Sequence, residues 1–197
     1  MSFLKGKTVL VTGSSRGIGA NTAQHLASLG MRVAVTYGRS KEQAEQVYNS
    51  LAGEGHLLVP FNVTDADSIK EGFDTITKEF GGLFGLVNNA GITRDQLILR
   101  MKDSEFDDVI STNLKAVFTC TKLAVKVMMK ARQGSIVNIT SVVGQAGAPG
   151  QGNYAASKGG VEAFTKSIAQ EVGSRQIRVR LPAFRAWPAL LSFCDSE

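Results

Sequence analysis

Tyr154 and Lys158 stand four residues apart in "NYAASKGG", and Ser141 closes the run "GSIVNITS" upstream of them. A separation of four places two side chains on one face of a helix. A Tyr phenol is a poor acid–base catalyst at neutral pH until a neighbouring cation stabilises its phenolate, and Lys158 is such a cation. A carbonyl reduced by hydride develops alkoxide charge. Tyr154 could give that oxygen its proton while the Ser141 hydroxyl holds it. Tyr-x-x-x-Lys alone also occurs on ordinary helices, where the Tyr packs and the Lys is solvated, so the pair needs a second feature beside it.

That feature is "TGSSRGIG", Thr12 to Gly19, where the β-branched run "KTVLVTG" gives way to the helical pattern "GANTAQHLASLG". At such a strand-to-helix turn, backbone N–H groups and the positive end of a helix dipole can face a pyrophosphate, and glycines admit close approach. Gly13, Ser14, Ser15, Arg16, Gly17, Ile18 and Gly19 are therefore the candidate phosphate-side residues. The spacing is G-x-x-x-G-x-G, not the common G-x-G-x-x-G, and its strength comes from its position between strand and helix. A tight turn that only packs helix on strand is the alternative. NAD-preferring sites usually carry an acid at the end of the second strand, but here that place reads "TYGRSK". Arg39 there and Arg16 in the loop favour a 2′-phosphate, hence NADP(H); Arg39 reads equally well as a solvated surface charge.

The elements that must position these groups alternate along the chain. After the first strand and helix come "MRVAVTY" as strand, "KEQAEQVYNSLAG" as helix, "HLLVPFNV" as strand, "ADSIKEGFDTITKEFG" as helix and "LFGLVNNAG" as strand. A helix from Ser104 to Lys130 is expected next, with Phe106, Val109, Ile110, Leu114, Val117 and Phe118 on its buried face. The strand "GSIVNITS", a Gly-rich loop over 142–152, a helix from Asn153 to Val172 with Val161, Phe164, Ile168 and Val172 on one stripe, and a strand beginning "QIRV" complete the pattern. Such alternation predicts an α/β fold, a doubly wound parallel sheet with helices on both faces.

Composition narrows the function class. The 197 residues suit one sizeable domain, and 43% hydrophobic with 20% charged residues is the balance of a soluble globular protein. No apolar run is long enough for a membrane span and the N-terminus has no secretory or transit pattern, which predicts a cytoplasmic protein. Cys120 and Cys194 form no C-x-x-C pair, and Cys120 in "AVFTCTK" reads as a buried reduced thiol. The net charge of +5 suits an acidic partner, but the cations are spread along the chain, which argues against nucleic acid. His25 and His56 lack metal-ligand spacing, so no metal is expected.

Taken in order, "TGSSRGIG", "NNAG" (Asn88 to Gly91), Asn113 in "STNLKAVF", Ser141 in "ITSVVG" and "YAASK" resemble the motifs of the short-chain dehydrogenase/reductase family. The resemblance runs from about Lys5 to Val179. In "NVTD", "NNAGITRD", "RMK" and "MMKARQGSIVNITSVVG" the chain is similar to the bacterial-type 3-oxoacyl-(acyl-carrier-protein) reductases of that family. The resemblance implies a Rossmann-like sheet and NADPH-dependent reduction of a β-keto group on an acyl thioester, in fatty acid biosynthesis. It implies Tyr154 as general acid, Ser141 as the group that positions the carbonyl, and Lys158 as the partner of Tyr154 and of the nicotinamide ribose. It further implies that Asn113 holds a proton-relaying water and that Asn62, Val63, Asn89, Ala90 and Gly91 line the adenosine side. A homotetramer and an acidic acyl carrier protein are the implied partners, with no membrane involved. Arg132 and Arg175 are docking candidates, though charges at helix ends also serve the dipole.

The ending departs from this pattern. Every Gly lies at or before Gly173, and from Arg180 the chain reads "RLPAFRAWPALLSFCDSE" where the family has a Pro-Gly turn, a substrate-covering helical segment and a last strand. Pro182 and Pro188 break any long helix, and Trp187, Leu190, Leu191 and Phe193 follow no strand or helix period. The expected organisation is a dinucleotide-binding and catalytic domain over 1–179 and a divergent tail over 180–197, without the last strand and the substrate lid. A shifted reading frame or alternative splice would account for such a tail. Without a lid the hydride-transfer site stays open to water. Two other functions therefore stand beside the reductase: a ketoreductase for another carbonyl, such as acetoacetyl-CoA or a small ketone, and a non-catalytic dinucleotide-binding remnant.

Overall fold

Short aliphatic runs bounded by glycine form a parallel sheet in the computed structural model, which describes residues 3–182. Its strands are β1 (Thr8–Val11), β2 (Arg32–Tyr37), β3 (Leu57–Pro60), β4 (Gly85–Asn88), β5 (Gly134–Asn138) and β6 (Ile177–Arg180). They lie in the order β3-β2-β1-β4-β5-β6, every neighbouring pair parallel. The helices are α1 (Gly17–Ser28), α2 (Lys41–Asn49), α3 (Ala66–Phe80), α4 (Asp103–Ile110), α5 (Ala116–Ala131), α6 (Val143–Ala146) and α7 (Gly152–Val172). Cys194 and the tail residues Trp187, Pro188, Leu190, Leu191 and Phe193 lie outside the described residues, as does most of the span 180–197.

Alternation along each strand feeds two apolar layers. Val9 and Val11, Val33 and Val35, and Val87 face the layer built with Leu26 of α1 and Val47 of α2. Leu10, Ala34, Leu86 and Ile136 face the opposite layer, with Ile69, Phe73 and Ile76 of α3 and Met128 of α5. A two-residue side-chain period makes this division unavoidable, and each fully buried Leu or Ile contributes about 1.5–3 kcal/mol. α3 shows how sequence sets a helix here. The Asp65 side chain accepts from the backbone N–H groups of Asp67 (2.9 Å) and Ser68 (3.3 Å), Gly81 ends the helix at φ 72°, and Ile69, Phe73, Ile76 and Phe80 form its buried stripe.

Three local expectations change. The helix expected over 104–130 is α4 and α5 joined through a π-turn, Ser111–Lys115, that carries Asn113. That turn accommodates one surplus residue where the two helices meet. Val109 and Val117 are buried as expected, but Phe106 and Phe118 are 41% and 49% exposed, Phe118 resting edge-on against Phe164. Within the segment read as loop, Val143–Ala146 makes one helical turn, held by packing on α7 rather than by any periodicity of its own.

The lone polar groups also find structural places. His56 accepts the Val33 N–H on Nδ1 (3.1 Å) and its Nε2 donates to the Ala52 carbonyl (3.1 Å). Burial pushes the Cys120 thiol up to about 12, so it packs as an inert apolar group. None of the described helices is long and apolar enough to cross a membrane, and among the described residues no three His, Cys, Asp or Glu side chains are grouped to hold a metal.

At the C-terminal ends of β4 and β5 a buried polar ladder runs across the sheet. Asn88 Nδ2 donates to Thr121 (3.1 Å) and to Asn138 Oδ1 (2.8 Å), and Asn138 Nδ2 donates to Thr165 Oγ1 (2.8 Å). It ties α5, β4, β5 and α7 together beneath the loops. Replacing Asn138 with Leu strands one Asn88 donor in the core, so Asn138→Leu is expected to lower unfolding free energy by about 2 kcal/mol. Urea denaturation reads this directly, and a loss below about 0.5 kcal/mol would show that the ladder adds little.

Candidate active site

β1 and β4 are neighbours, but the chain leaves β1 toward β2 on one side and leaves β4 toward β5 on the other. Loops that part in this way open a crevice at the carboxyl ends of the strands. Thr12 fastens the two sides of it. Its hydroxyl accepts from Asn89 N (3.0 Å) and Ala90 N (3.1 Å), while Asn89 Nδ2 donates back to the carbonyls of Thr12 (2.9 Å) and Gly13 (3.1 Å). Gly13 sits at φ 64°, and a Cβ there would lie 2.9 Å from Ala90 Cα. Only glycine satisfies both conditions.

Of the residues expected on the phosphate side, Arg16, Gly17 and Ile18 are exposed at the start of α1. No side chain caps that helix, so its first N–H groups and positive dipole end are open to an anion. Gly19 is buried, and a Cβ on it would run into the Gly13 carbonyl oxygen. Ser14 is fully buried. Its hydroxyl donates to Val11 O (2.8 Å) and accepts from Thr36 N (2.8 Å), so the side chain braces the loop against β2. Ser15, Gly13, Asn62, Val63 and Ala90 line a recess of about 120 Å³. Thr36, Tyr37, Gly38 and Phe61 complete its wall and were not singled out by sequence; their signal was their place at the ends of the second and third strands. Arg39 is exposed just beyond β2, beside that recess.

At the other end of the crevice, Gly91, Asn113 and Lys158 meet. A Cβ on Gly91 would lie 3.2 Å from Asn113 Oδ1 and 3.7 Å from Lys158 Nζ, so the glycine keeps this space open. Asn113 is fully buried in the π-turn. Its Oδ1 accepts from Ile92 N (2.8 Å), and its Nδ2 donates to Ile92 O (2.9 Å) and Ser157 Oγ (3.1 Å). Ser157 in turn donates to the Tyr154 carbonyl (2.8 Å), and Asn153 Oδ1 accepts from Tyr154 N (2.7 Å). Asn153 and Ser157 hold the first turn of α7; sequence reasoning passed over both because their roles depend on distant partners.

Lys158 donates to the Ile139 carbonyl at 2.8 Å and lies 5.6 Å from the centre of the Tyr154 ring. Burial lowers its ammonium from 10.5 to about 8. Ser141 is half-buried at the head of α6, and its Oγ accepts from Val143 N at 3.3 Å. α6 lies hard against α7, since a Cβ on Gly144 would come within 2.9 Å of Gly159 N. The structure thus gathers Lys158 and Asn113 around Gly91, links Asn113 to Tyr154 through Ser157, and packs the segment that carries Ser141 on α7. The glycine-lined floor, the open start of α1 and the exposed Arg16 and Arg39 fit a phosphorylated dinucleotide.

Comparison with known proteins finds relatives along most of this chain. The family model described as short chain dehydrogenase matches residues 7–183, running past Val179 where the recognisable motifs stop. The chain is 50% identical over 179 residues to a 3-oxoacyl-(acyl-carrier-protein) reductase of Staphylococcus aureus, a match covering 90% of this chain and 73% of that protein. It is 48% identical over 180 residues to the reductase of the same name from Vibrio cholerae, covering 91% and 73%. A Synechocystis reductase of this name is 46% identical over 185 residues, covering 93% and 75%.

The seat of Lys158 has a consequence for stability. Between about pH 8 and 10.5 the folded chain holds less of this proton than the unfolded chain, so its unfolding free energy gains with rising pH. Below pH 8 the buried ammonium is a net cost. Measured against a Lys158→Met variant, wild-type stability is therefore expected to improve as pH climbs from 8 to 10. Parallel curves for the two proteins across that window would contradict the burial.

Proposed function

This chain belongs to the short-chain dehydrogenase family, and on that premise we propose that it reduces the 3-oxo group of an acyl thioester on acyl carrier protein to the 3-hydroxyacyl form with NADPH. The step is one of fatty acid biosynthesis, carried out in the cytoplasm. The observation that carries the reading is the buried lysine 5.6 Å from the Tyr154 ring, beside the space that Gly91 leaves open. The named activity of relatives about half identical over this whole region supports it.

The chain's own residues do the following. Gly13 and Gly19, with the N–H groups at the start of α1, hold the pyrophosphate; Arg16 and Arg39 take the 2′-phosphate; Ser15, Asn62, Val63, Asn89, Ala90 and Gly91 line the adenosine and ribose side. NADPH supplies the hydride. Ser141 holds the substrate oxygen, and Tyr154 gives it a proton as alkoxide charge builds. Lys158, kept against Ile139, presents its ammonium to the phenol and to the nicotinamide ribose, while Asn113 holds the water from which the proton is replaced. Residues 1–179 form the catalytic unit.

Arg132 and Arg175 stand exposed, each beside the start of a strand of the β5–β6 pair, where Gly134 N donates to Gln176 O. That is the end of β5 opposite Ser141. A carrier docked there serves the site of a neighbouring copy, which ties carrier binding to a homotetramer.

NADPH binding by fluorescence and turnover of an acetoacetyl thioester, measured together, test the proposal. Wild type is expected to bind and turn over, with the carrier-linked substrate preferred to the CoA form. Tyr154→Phe is expected to keep NADPH affinity and lose at least about 1000-fold in kcat. Binding without turnover in the wild-type chain would refute the reductase reading and favour a dinucleotide-binding remnant. Arg39→Ala is expected to weaken NADPH about tenfold and leave NADH within twofold; equal losses for both would remove Arg39 from the 2′-phosphate site.

A further inference from the structure

The buried carboxyl of Glu162 plays no part in the chemistry described so far. It sits on α7 one turn beyond Lys158, is only 7% exposed, and no ion pair neutralises it among the described residues. Such burial is costly unless both oxygens are satisfied. One oxygen accepts from the Thr140 hydroxyl at 3.1 Å and the other from Gln145 Nε2 at 3.1 Å. Thr140 immediately precedes Ser141, and Gln145 lies four residues after it, in α6. The carboxyl therefore bridges the two ends of the segment that carries Ser141. The Thr140 hydroxyl also reaches the Lys158 carbonyl at 3.3 Å, and Gly144 packs on Gly159.

Ser141 and Tyr154 lie on different elements, yet the proposed reaction needs both at one oxygen. We propose that Glu162 is a positioning residue: its carboxyl clamps Thr140 and Gln145 to α7 and so sets where the Ser141 hydroxyl stands relative to Tyr154. The inference rests on the reading of Ser141 and Tyr154 as partners in carbonyl reduction. The packing of Gly144 fixes how closely α6 approaches α7. The carboxyl fixes its rotation, because it grips the segment on both sides of the serine.

The test is steady-state kinetics on an acetoacetyl thioester with NADPH titrations and thermal unfolding of the same samples. Glu162→Leu is expected to lower kcat about 30-fold, the order of loss that a small misplacement of a reacting group causes, with NADPH affinity within twofold. Glu162→Gln keeps an acceptor for Thr140, and the Gln145 amide can turn over to restore the second bond, so kcat is expected within about threefold of wild type. Gln145→Leu alters an exposed residue that folding can spare, and it is expected to lower kcat about tenfold. The double Leu variant is expected to be no slower than Glu162→Leu alone. Full kcat in either Leu variant, a fall in kcat matched by a fall in NADPH affinity, or a Gln variant as slow as the Leu variant would overturn the proposal. Absence of turnover in the wild type would instead count against the reductase reading itself.

Discussion

Two backbone N–H groups that converge on one hydroxyl hold the crevice together. Thr12 Oγ1 accepts from Asn89 N and Ala90 N, residues 77 and 78 positions away in the chain. Without that acceptor, both donors would be turned toward a loop that has just left a fully buried strand, and neither has a strand partner there. With it, the turn after β1 and the turn after β4 become one surface. The side chain of Asn89 closes the arrangement from the other direction by donating to the carbonyls of Thr12 and Gly13. Gly13 can pass so near Ala90 because this reciprocal bonding supplies the attraction and the missing Cβ removes the obstacle.

The same economy of partners organises the far end of the crevice. Asn113 reaches Tyr154 only through Ser157, and Lys158 is held by a carbonyl rather than a carboxylate. An acidic partner would offset the charge of the Lys158 ammonium. A carbonyl satisfies one of its protons and leaves the charge intact. Burial then brings the lysine down to about 8, where it still carries most of its charge at neutral pH but gives it up readily. Glu162 lies one turn further along α7, and its two acceptor bonds go to neutral groups.

The sheet and the segments that form the candidate site were legible in the sequence because their signals are local. β-branched runs ending in glycine mark the strands, and the phosphate turn, Tyr154 and Lys158 lie within single short segments. What sequence missed depends on distance or on hydrogen-bond register. A 3.6-residue pattern does not register one surplus residue, so the π-turn at Ser111–Lys115 was read as plain helix; Phe106 and Phe118, assigned to the interior, are largely exposed. α6 has four residues and no periodicity, and its stability comes from Gly144 meeting Gly159. Thr12, Asn153 and Ser157 are ordinary polar residues until the fold brings their partners to them. Ser14 had the right position but spends its hydroxyl on β2, a use that no motif announces.

The π-turn also sets which elements feel a change at the joint of α4 and α5. One residue of an α-helix corresponds to about 100° of rotation, and the surplus at Ser111–Lys115 takes up that rotation locally. Val109 in α4, Asn113 in the turn and Val117 in α5, each four residues from the next, are all buried. Asn113, at the joint, is bound to both the Ile92 loop and α7. A displacement of either helix at this joint would therefore reach the Ile92 loop and the first turn of α7 through one side chain.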